Sequence, residues 1–307
     1  MEKKPLSPAE ITEYTINVAQ DKAKGGFAKL LLLGIAAGAF IAFAAAGSNM
    51  AAFNLFAEPT TYGLGKVLAG AVFGTGLMMV VLAGGELFTG NTLMLAAWCE
   101  RKISLGKILR NWAIVYIGNF IGSVLIVAMM VHSGLFSSGA DMLGAMTVKI
   151  AAYKVNLTFS QALVLGIMCN WLVCLAVWLS YGAESMIGKI FAIFFPIWLF
   201  ITSGFEHSVA NMYYIPAGIL AKTNTAYAAL SHVSADALHS LTWGGFLAHN
   251  LIPVTLGNLI GGGVLVGILY WYTYKRTYCA STDRAAARSK KDTGDLDRKA
   301  ENIGVHS

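Results

Sequence analysis

The stretch FAIFFPIWLFITSGFEHSVANMYYIP, Phe191–Pro216, places an acid and a histidine between two apolar runs. Neither run alone reaches the length of about 20 residues that a transmembrane helix needs, but the segment Ile190–Ala221 as a whole does. Lipid cannot satisfy charged groups or free backbone groups, so Glu206 and His207 at this depth indicate an interrupted helix. The stretch therefore predicts a broken membrane-spanning helix whose break faces protein or a polar path.

The composition of the whole chain points to the same environment. Of its 307 residues, 56% are hydrophobic and 12% are charged, which is half of the roughly 25% charged residues of soluble domains. Five further stretches are long and apolar enough to span a bilayer: Ala28–Met50, Val67–Glu86 with a tail to Trp98, Ile108–Val131, Phe159–Tyr181 and Leu251–Tyr274. The sequence thus predicts an all-α polytopic membrane protein with six transmembrane helices, of which the second and fifth are irregular.

The polar ends of the chain predict two flanking segments. Residues 1–27 have the pattern of an amphipathic helix, with Ser7 as its N-cap and Pro8 at its first position, and they lack the apolar core of a cleaved signal peptide. Residues 276–307 mix both charges without apolar spacing, which is typical of a disordered tail. The six-helix domain is therefore expected to cover residues 28–275.

The distribution of lysine and arginine predicts the orientation, because short cytoplasmic loops carry an excess of these residues. They cluster before the first span, in the second and fourth connections and after the last span: Lys22, Lys24, Lys29, Arg101, Lys102, Lys107, Arg110, Lys189, Lys275 and Arg276. Both termini are therefore expected in the cytoplasm. Lys149 and Lys154 in the third connection oppose this trend, which suggests a functional role. The net charge of +6 follows mostly from the bias and does not indicate nucleic-acid binding.

Two pairs of similar segments suggest an internal repeat. YIGNFIGSVLIV, Tyr116–Val127, matches TLGNLIGGGVLV, Thr255–Val266, in the third and sixth spans. GGELFTGN, Gly84–Asn91, matches SGFEHSVAN, Ser203–Asn211, at the irregular points of the second and fifth spans. Three spans per half is an odd number, so the halves insert with opposite orientations, which is the inverted 3+3 repeat of many transporters. Chance similarity between glycine-rich apolar segments is the alternative.

The residues around the two breaks have the chemistry that a broken helix requires. Glycines permit turns, hydroxyl and amide side chains satisfy freed backbone groups, and the N-terminus of a half-helix favours anions. The residues expected to support the breaks are Glu206, Glu86, Gly85, Gly90, Ser208 and Asn211. For Glu206 a direct functional role is the alternative to this structural one, whereas His207 is expected to be functional.

Four segments resemble the formate/nitrite transporter family, which includes formate, nitrite and hydrosulfide channels. They are GELFTGN, NWLVCLAVWLSYGAES, SGFEHSVANMYYIP and NLIPVTLGNLIGGG, and the resemblance extends in order over roughly Lys22 to Lys275. It implies a homopentamer of aquaporin-like six-helix protomers, each with its own pore and with its second and fifth helices broken.

The resemblance also implies roles for individual residues. The centre of the substrate path falls on His207, Thr89, Asn170 and Asn258. The hydrophobic constrictions fall on Phe73, Leu77, Leu87, Phe88, Val173 and Phe200. The lysine that faces the outer entrance falls on Lys154, which would explain the unusual charge of the third connection.

The function implied by the resemblance is a channel for small monovalent weak-acid anions in the cytoplasmic (inner) membrane, with proton-assisted, pH-dependent passage past His207. Formate is the expected anion, because FEHSVANMYYIPAGI and VCLAVWLSYGAES are closest to the formate-channel version; nitrite and hydrosulfide are the alternatives. The expected partners are the anion, a proton and the lipid bilayer, with no cofactor, no metal and no enzymatic activity. The residues do not distinguish a channel from a proton symporter, or a gating N-terminal segment from a membrane anchor.

Three other functional classes fit the residues less well. A transporter of neutral or cationic solutes is expected to have acids within its spans, and Glu86 and Glu206 at the breaks are the only ones. A haem protein with two histidine ligands requires two deep histidines, and His207 alone lies deep within a span. A receptor or scaffold has no need for paired broken helices.

Overall fold

The computed structural model describes residues 4–276, and all regular structure within them is helical. The helices are α1 Pro8–Lys24, α2 Phe27–Ala52, α3 Tyr62–Gly84, α4 88–99, α5 Leu105–His132, α6 Met142–Val155, α7 Phe159–Gly182, α8 Met186–Ser203, α9 Ser208–Ala221, α10 Thr225–Leu230, α11 Ala235–Ser240 and α12 Trp243–Arg276. Six of them, α2, α3, α5, α7, α8 and α12, are long and apolar enough to cross a membrane. This confirms the predicted number of crossings.

Two details of the ends differ from the sequence-based expectations. The last span starts at Trp243 rather than at Leu251, because polar His249 and Asn250 hide its first turns from a search for apolar residues. The predicted disordered tail, residues 276–307, lies outside the described residues except for Arg276, which ends α12.

The second and fifth crossings are broken, as predicted. α3 ends at Gly84, and α8 ends at Ser203, directly before Gly204. These two glycines have left-handed φ values of 99° and 79°, which glycine adopts without steric cost. The chain then runs extended for a few residues before α4 and α9 begin. Every residue of α9 except Leu220 is buried, so this half-helix lies inside the protein rather than against lipid.

The two halves of the chain pack in the same way, which confirms the inverted repeat. α2 packs mainly against α5 and α3, and α7 packs mainly against α12 and α8. The repeated Gly-Asn-apolar-Ile-Gly motif allows this close packing. A Cβ on Gly122 would lie 2.0 Å from the Ile35 carbonyl oxygen, and one on Gly261 would lie 2.1 Å from that of Ile167.

Each half also begins with a helix that does not span the membrane. α1 precedes α2, and α6, a helix that was not predicted from the sequence, precedes α7. α1 buries Ile11 and Ile16, and its Tyr14 ring lies 5.1 Å from that of Tyr181 in α7. Since three crossings separate the starts of α1 and α6, the two helices lie at opposite membrane surfaces.

Glu10 makes the first turn of α1 sensitive to acid. The Ser7 hydroxyl and the Ser7 backbone N–H both donate to its carboxylate at 2.7 Å, and these bonds lower the pKa of Glu10. A carboxyl group with a lowered pKa stabilises the fold above its unfolded pKa of about 4.3, and loses that contribution as the pH falls through the folded pKa. The first turn of α1 is therefore expected to loosen below about pH 4.

Hydrogen exchange of the first-turn amides, corrected for the intrinsic rate at each pH, measures this loosening. Thr158 and Gln161 form the same capping box at the start of α7 without a titratable group, so α7 is the matched control. Protection at the start of α7 is expected to stay constant as protection at α1 falls. Equal pH dependence at both helix starts would contradict the role assigned to Glu10.

Candidate functional site at the two helix breaks

The two breaks meet in the interior of the protein. Thr89, in the first turn of α4, places its Oγ1 2.9 Å from Nε2 of His207, which lies just before α9. Both residues are buried, and they come from opposite halves of the repeat. The structure thus joins two of the four residues that were predicted at the centre of the path.

The hydrogen bonds of His207 define which of its ring nitrogens carries the hydrogen. Nδ1 accepts the backbone N–H of Ala210 at 3.0 Å and so caps the N-terminus of α9. In a neutral imidazole the other nitrogen is then the donor, so Nε2–H donates to the Thr89 hydroxyl oxygen. The hydroxyl hydrogen of Thr89 is consequently available to a further acceptor, such as an anion.

Asn258 satisfies backbone groups that the second break sets free. Its Oδ1 accepts the Ser208 N–H at 2.9 Å, and its Nδ2 donates to the carbonyl oxygens of Gly166 at 2.8 Å and Glu206 at 3.0 Å. The side-chain amide that was predicted to face the path is therefore engaged with the backbone.

Asn119 plays the same part at the first break, a role that was not predicted for it from the sequence. Its Oδ1 accepts the Phe88 N–H at 3.0 Å, and its Nδ2 donates to the carbonyl oxygens of Gly34 and Glu86. The repeated Gly-Asn motif was the signal that could have identified it, since Asn119 and Asn258 occupy the same position of that motif.

Asn170, the fourth predicted centre residue, lies behind Thr89. Its Nδ2 lies 2.7 Å from the Asn258 carbonyl oxygen and 3.2 Å from both the Thr89 carbonyl oxygen and the Thr92 hydroxyl. Asn170 therefore ties α7 to α4 and α12. Of the four predicted residues, only Thr89 and His207 bond to each other through their side chains.

The acid at the second break is held by an ion pair. The Glu206 carboxylate lies 2.6 Å from Lys154 Nζ, and its side chain is 1% exposed. It also accepts hydrogen bonds from Asn211 at 2.7 Å and Asn250 at 3.1 Å. Lys154 itself comes from α6 and is largely buried, so the structure gives the predicted entrance lysine a carboxylate partner.

The first break contains a matching cluster. It is formed with α1 instead of α6, so it lies toward the opposite membrane surface. Glu86 pairs with Lys22 of α1 at 2.8 Å and accepts the Asn91 amide at 2.7 Å. Asn91 also bonds Asn111, as Asn211 bonds Asn250 in the other half. The helix that begins each half, α1 or α6, thus supplies the lysine that neutralises the acid at the break of that half.

The remaining residues that were predicted to support the breaks differ in how strongly the break depends on them. Gly85 is extended, and a Cβ there would lie 3.1 Å from that of Ala37, so space favours glycine. Gly90 lies within α4, where a Cβ would meet only an ordinary contact of 3.7 Å, so the turn does not depend on it. Ser208 begins α9, and its hydroxyl has no partner within the described part of the chain.

The six predicted constriction residues are all buried, and two of them form an aromatic layer beside the site. The rings of Phe73 and Phe200 meet edge to face at 5.6 Å, and Phe200 stacks on His207 at 6.0 Å. Phe88 instead packs its ring against Trp112 and Tyr116 of α5. The other three are Leu77, Leu87 and Val173.

Comparison with known proteins places these features in a family. The family profile described as formate/nitrite transporter matches residues 9–272. The probable formate transporter of Methanothermobacter thermautotrophicus is 39% identical over 282 residues, which cover 87% of this chain and 97% of that protein. The formate channel FocA of Escherichia coli (strain K12) is 38% identical over 280 residues, which cover 88% and 95%.

A solved structure described as a pentameric formate channel with formate bound has the same fold. It superimposes with a TM-score of 0.74 at 40% identity, and the match covers 81% of this chain and 97% of that chain. The profile spans most of the sequence, and both relatives are similar over nearly their full length. This chain belongs to the formate/nitrite transporter family.

Proposed function

We propose that this protein is a membrane channel for small monovalent anions of weak acids, with formate as its substrate. The observation that carries the proposal is the buried Thr89–His207 hydrogen bond at the point where the two half-helices meet. Relatives that are named formate channels or transporters, at 38% and 39% identity, support formate as the anion. Nitrite and hydrosulfide are the alternative substrates, because they have the same charge and similar size.

The apolar layer of Phe73 and Phe200 decides in which form the anion passes. Moving a bare ion into a low-dielectric medium costs on the order of 20 kcal/mol in the Born limit. Protonating an acid of pKa about 4 at pH 7 costs about 4 kcal/mol, at 1.36 kcal/mol per pH unit. Passage as the neutral acid is therefore much cheaper, provided that a proton donor lies beside the layer.

His207 is the proposed donor, with Thr89 as its partner. A proton added to Nδ1 gives the imidazolium form and displaces the Ala210 N–H. The imidazolium then transfers one proton to the anion, which leaves a neutral imidazole and a neutral acid. The Thr89 hydroxyl hydrogen holds the anion during this step, and the positive end of the α9 dipole favours its negative charge.

The other two residues predicted at the centre, Asn170 and Asn258, support Thr89 and His207 through the backbone. Asn170 and Asn258 hold the backbone around Thr89 and His207, so we propose that they act by positioning these two side chains. Lys154 contributes positive charge near the second break, although Glu206 balances most of it.

The assembly and orientation that we propose follow the relatives and the charge distribution. The pentameric state of the similar formate channel supports a homopentamer here. The distribution of lysine and arginine favours cytoplasmic positions for both termini, and membership of the family supports the inner membrane as the location. On that side α1 covers α4, and a cavity of about 10 Å³ remains between them, lined by residues that include Lys22 and Asn91. Because α1 packs this closely against α4, we favour a role in gating for α1 rather than a role as a membrane anchor alone.

A comparison of uptake tests the proposed substrate. Proteoliposomes that contain the full-length protein are expected to take up labelled formate faster than protein-free liposomes of the same lipid, because the protein provides the only polar path. Nitrite and hydrosulfide are measured under the same gradient and pH. If either of them is taken up faster than formate, that anion is the substrate instead. If none of the three is taken up, the proposed channel function is refuted.

A further inference from the structure

Lys66, on α3, is a half-buried lysine that the proposed function leaves unexplained. Within residues 4–276 it forms no ion pair, whereas Lys22 and Lys154, the two lysines at the breaks, each have a carboxylate partner. Its Nζ lies 5.7 Å from the centre of the Tyr62 ring. A cation that lies partly out of water without a counterion is a natural partner for a small anion.

The position of Lys66 along α3 places it on the path to His207. Lys66 precedes Phe73 by two helical turns, so both residues lie on the same face of the helix, about 10 Å apart along its axis. A Cβ on Gly204 would lie 3.2 Å from Lys66 Nζ, so the ammonium group lies against the second break. Because α3 starts on the membrane side where α6 lies, Lys66 is outside the Phe73–Phe200 layer on that side.

The charged groups around Lys66 give the α6-side end of the path, its mouth, an excess of positive charge. Lys154 and Glu206 are the charged groups that act on Lys66. The Glu206 carboxylate is already occupied by Lys154 at 2.6 Å and by two asparagine amides. Two lysines thus share one acid, and the charge that remains unbalanced is that of Lys66. At the other break Lys22 and Glu86 balance each other.

We propose that Lys66 forms an anion-binding site in the α6-side mouth, where it holds a small monovalent carboxylate before the anion reaches Thr89 and His207. The site rests on the proposed anion channel and deepens it. It also assigns the entrance charge to Lys66, which has no carboxylate partner among residues 4–276, rather than to the ion-paired Lys154.

Uptake of labelled formate by proteoliposomes with Lys66→Gln tests the proposal. At low ionic strength and formate far below saturation, the variant is expected to take up formate about fivefold more slowly than wild type, because one attractive charge is lost. Uptake at saturating formate is expected to stay within about twofold of wild type. Lys66→Arg, which keeps the charge, is expected to behave as wild type. Lys149→Gln removes an exposed lysine from α6 and is the matched control.

Salt provides a second measurement that needs no variant. The Debye length falls from about 10 Å at 0.1 M salt to about 3 Å at 1 M, so wild-type uptake at low formate is expected to drop toward that of Lys66→Gln. Equal uptake by wild type and Lys66→Gln at low salt, or equal losses in the Gln and Arg variants, would overturn the anion site while leaving the channel intact. A wild-type protein that takes up none of the anions would overturn the channel and this site with it.

Discussion

Asn258→Ala is expected to destabilise the protein by about 3–5 kcal/mol. Three backbone groups, the N–H of Ser208 and the carbonyls of Gly166 and Glu206, bond to this one side chain in the buried interior. Each group left without a partner costs about 1–3 kcal/mol, and no water or lipid group replaces the amide at this depth. The loss should appear as a lower unfolding temperature of the purified protein in detergent.

Two asparagine variants control this measurement. Asn119→Ala removes the equivalent support at the first break, so its unfolding temperature is expected to fall by a similar amount. Asn49 is also buried, but its Nδ2 has no partner among the described residues, so Asn49→Ala is expected to cost less than about 1 kcal/mol. If Asn258→Ala and Asn49→Ala unfold at the same temperature, the amide does not support the break.

The features that sequence reasoning predicted are those with a local signature. A membrane span needs about 20 apolar residues in a row, and glycine with polar residues inside such a run marks a break, so six spans and two breaks follow from the sequence. The repeat was visible because Gly118 and Gly122, and likewise Gly257 and Gly261, frame the same motif where helices touch.

The features that were missed depend on contacts between distant parts of the chain. Lys22 was counted only as a charge that orients the protein, but it pairs with Glu86, which lies far away in sequence. Asn258 was assigned to the path on resemblance, and the structure shows that its amide satisfies the broken backbone. Helix α6 lacks the apolar length of a span, so only its lysines were noticed.

His207→Phe is expected to abolish formate uptake while the oligomer stays assembled. Phenylalanine keeps the aromatic contact with Phe200, which lies 6.0 Å away between ring centroids, but it has no hydrogen to give to Thr89 or to an anion. An anion that reaches the apolar layer then finds no donor there and has to cross as a bare ion, at a cost on the order of 20 kcal/mol in the Born limit. Size-exclusion chromatography reports assembly; loss of the oligomer would mean that His207 serves the fold.

His207→Asn separates the two tasks of the histidine. Asparagine is among the best N-cap residues, so it replaces Nδ1 as the acceptor for the Ala210 N–H and keeps the start of α9. Its amide also offers a donor to Thr89. Its amide has no proton that titrates, however, whereas an imidazole takes up a second proton as the pH falls.

Formate uptake as a function of pH, compared between wild type and His207→Asn in proteoliposomes, tests the central claim most directly. Protein-free liposomes give the background at each pH. Wild-type uptake above background is predicted to rise as the pH falls from 8 to 5, because more His207 carries the proton that the anion requires. The Asn variant is predicted to give a low uptake that does not change with pH. An Asn variant with the pH dependence of wild type would contradict proton transfer by His207.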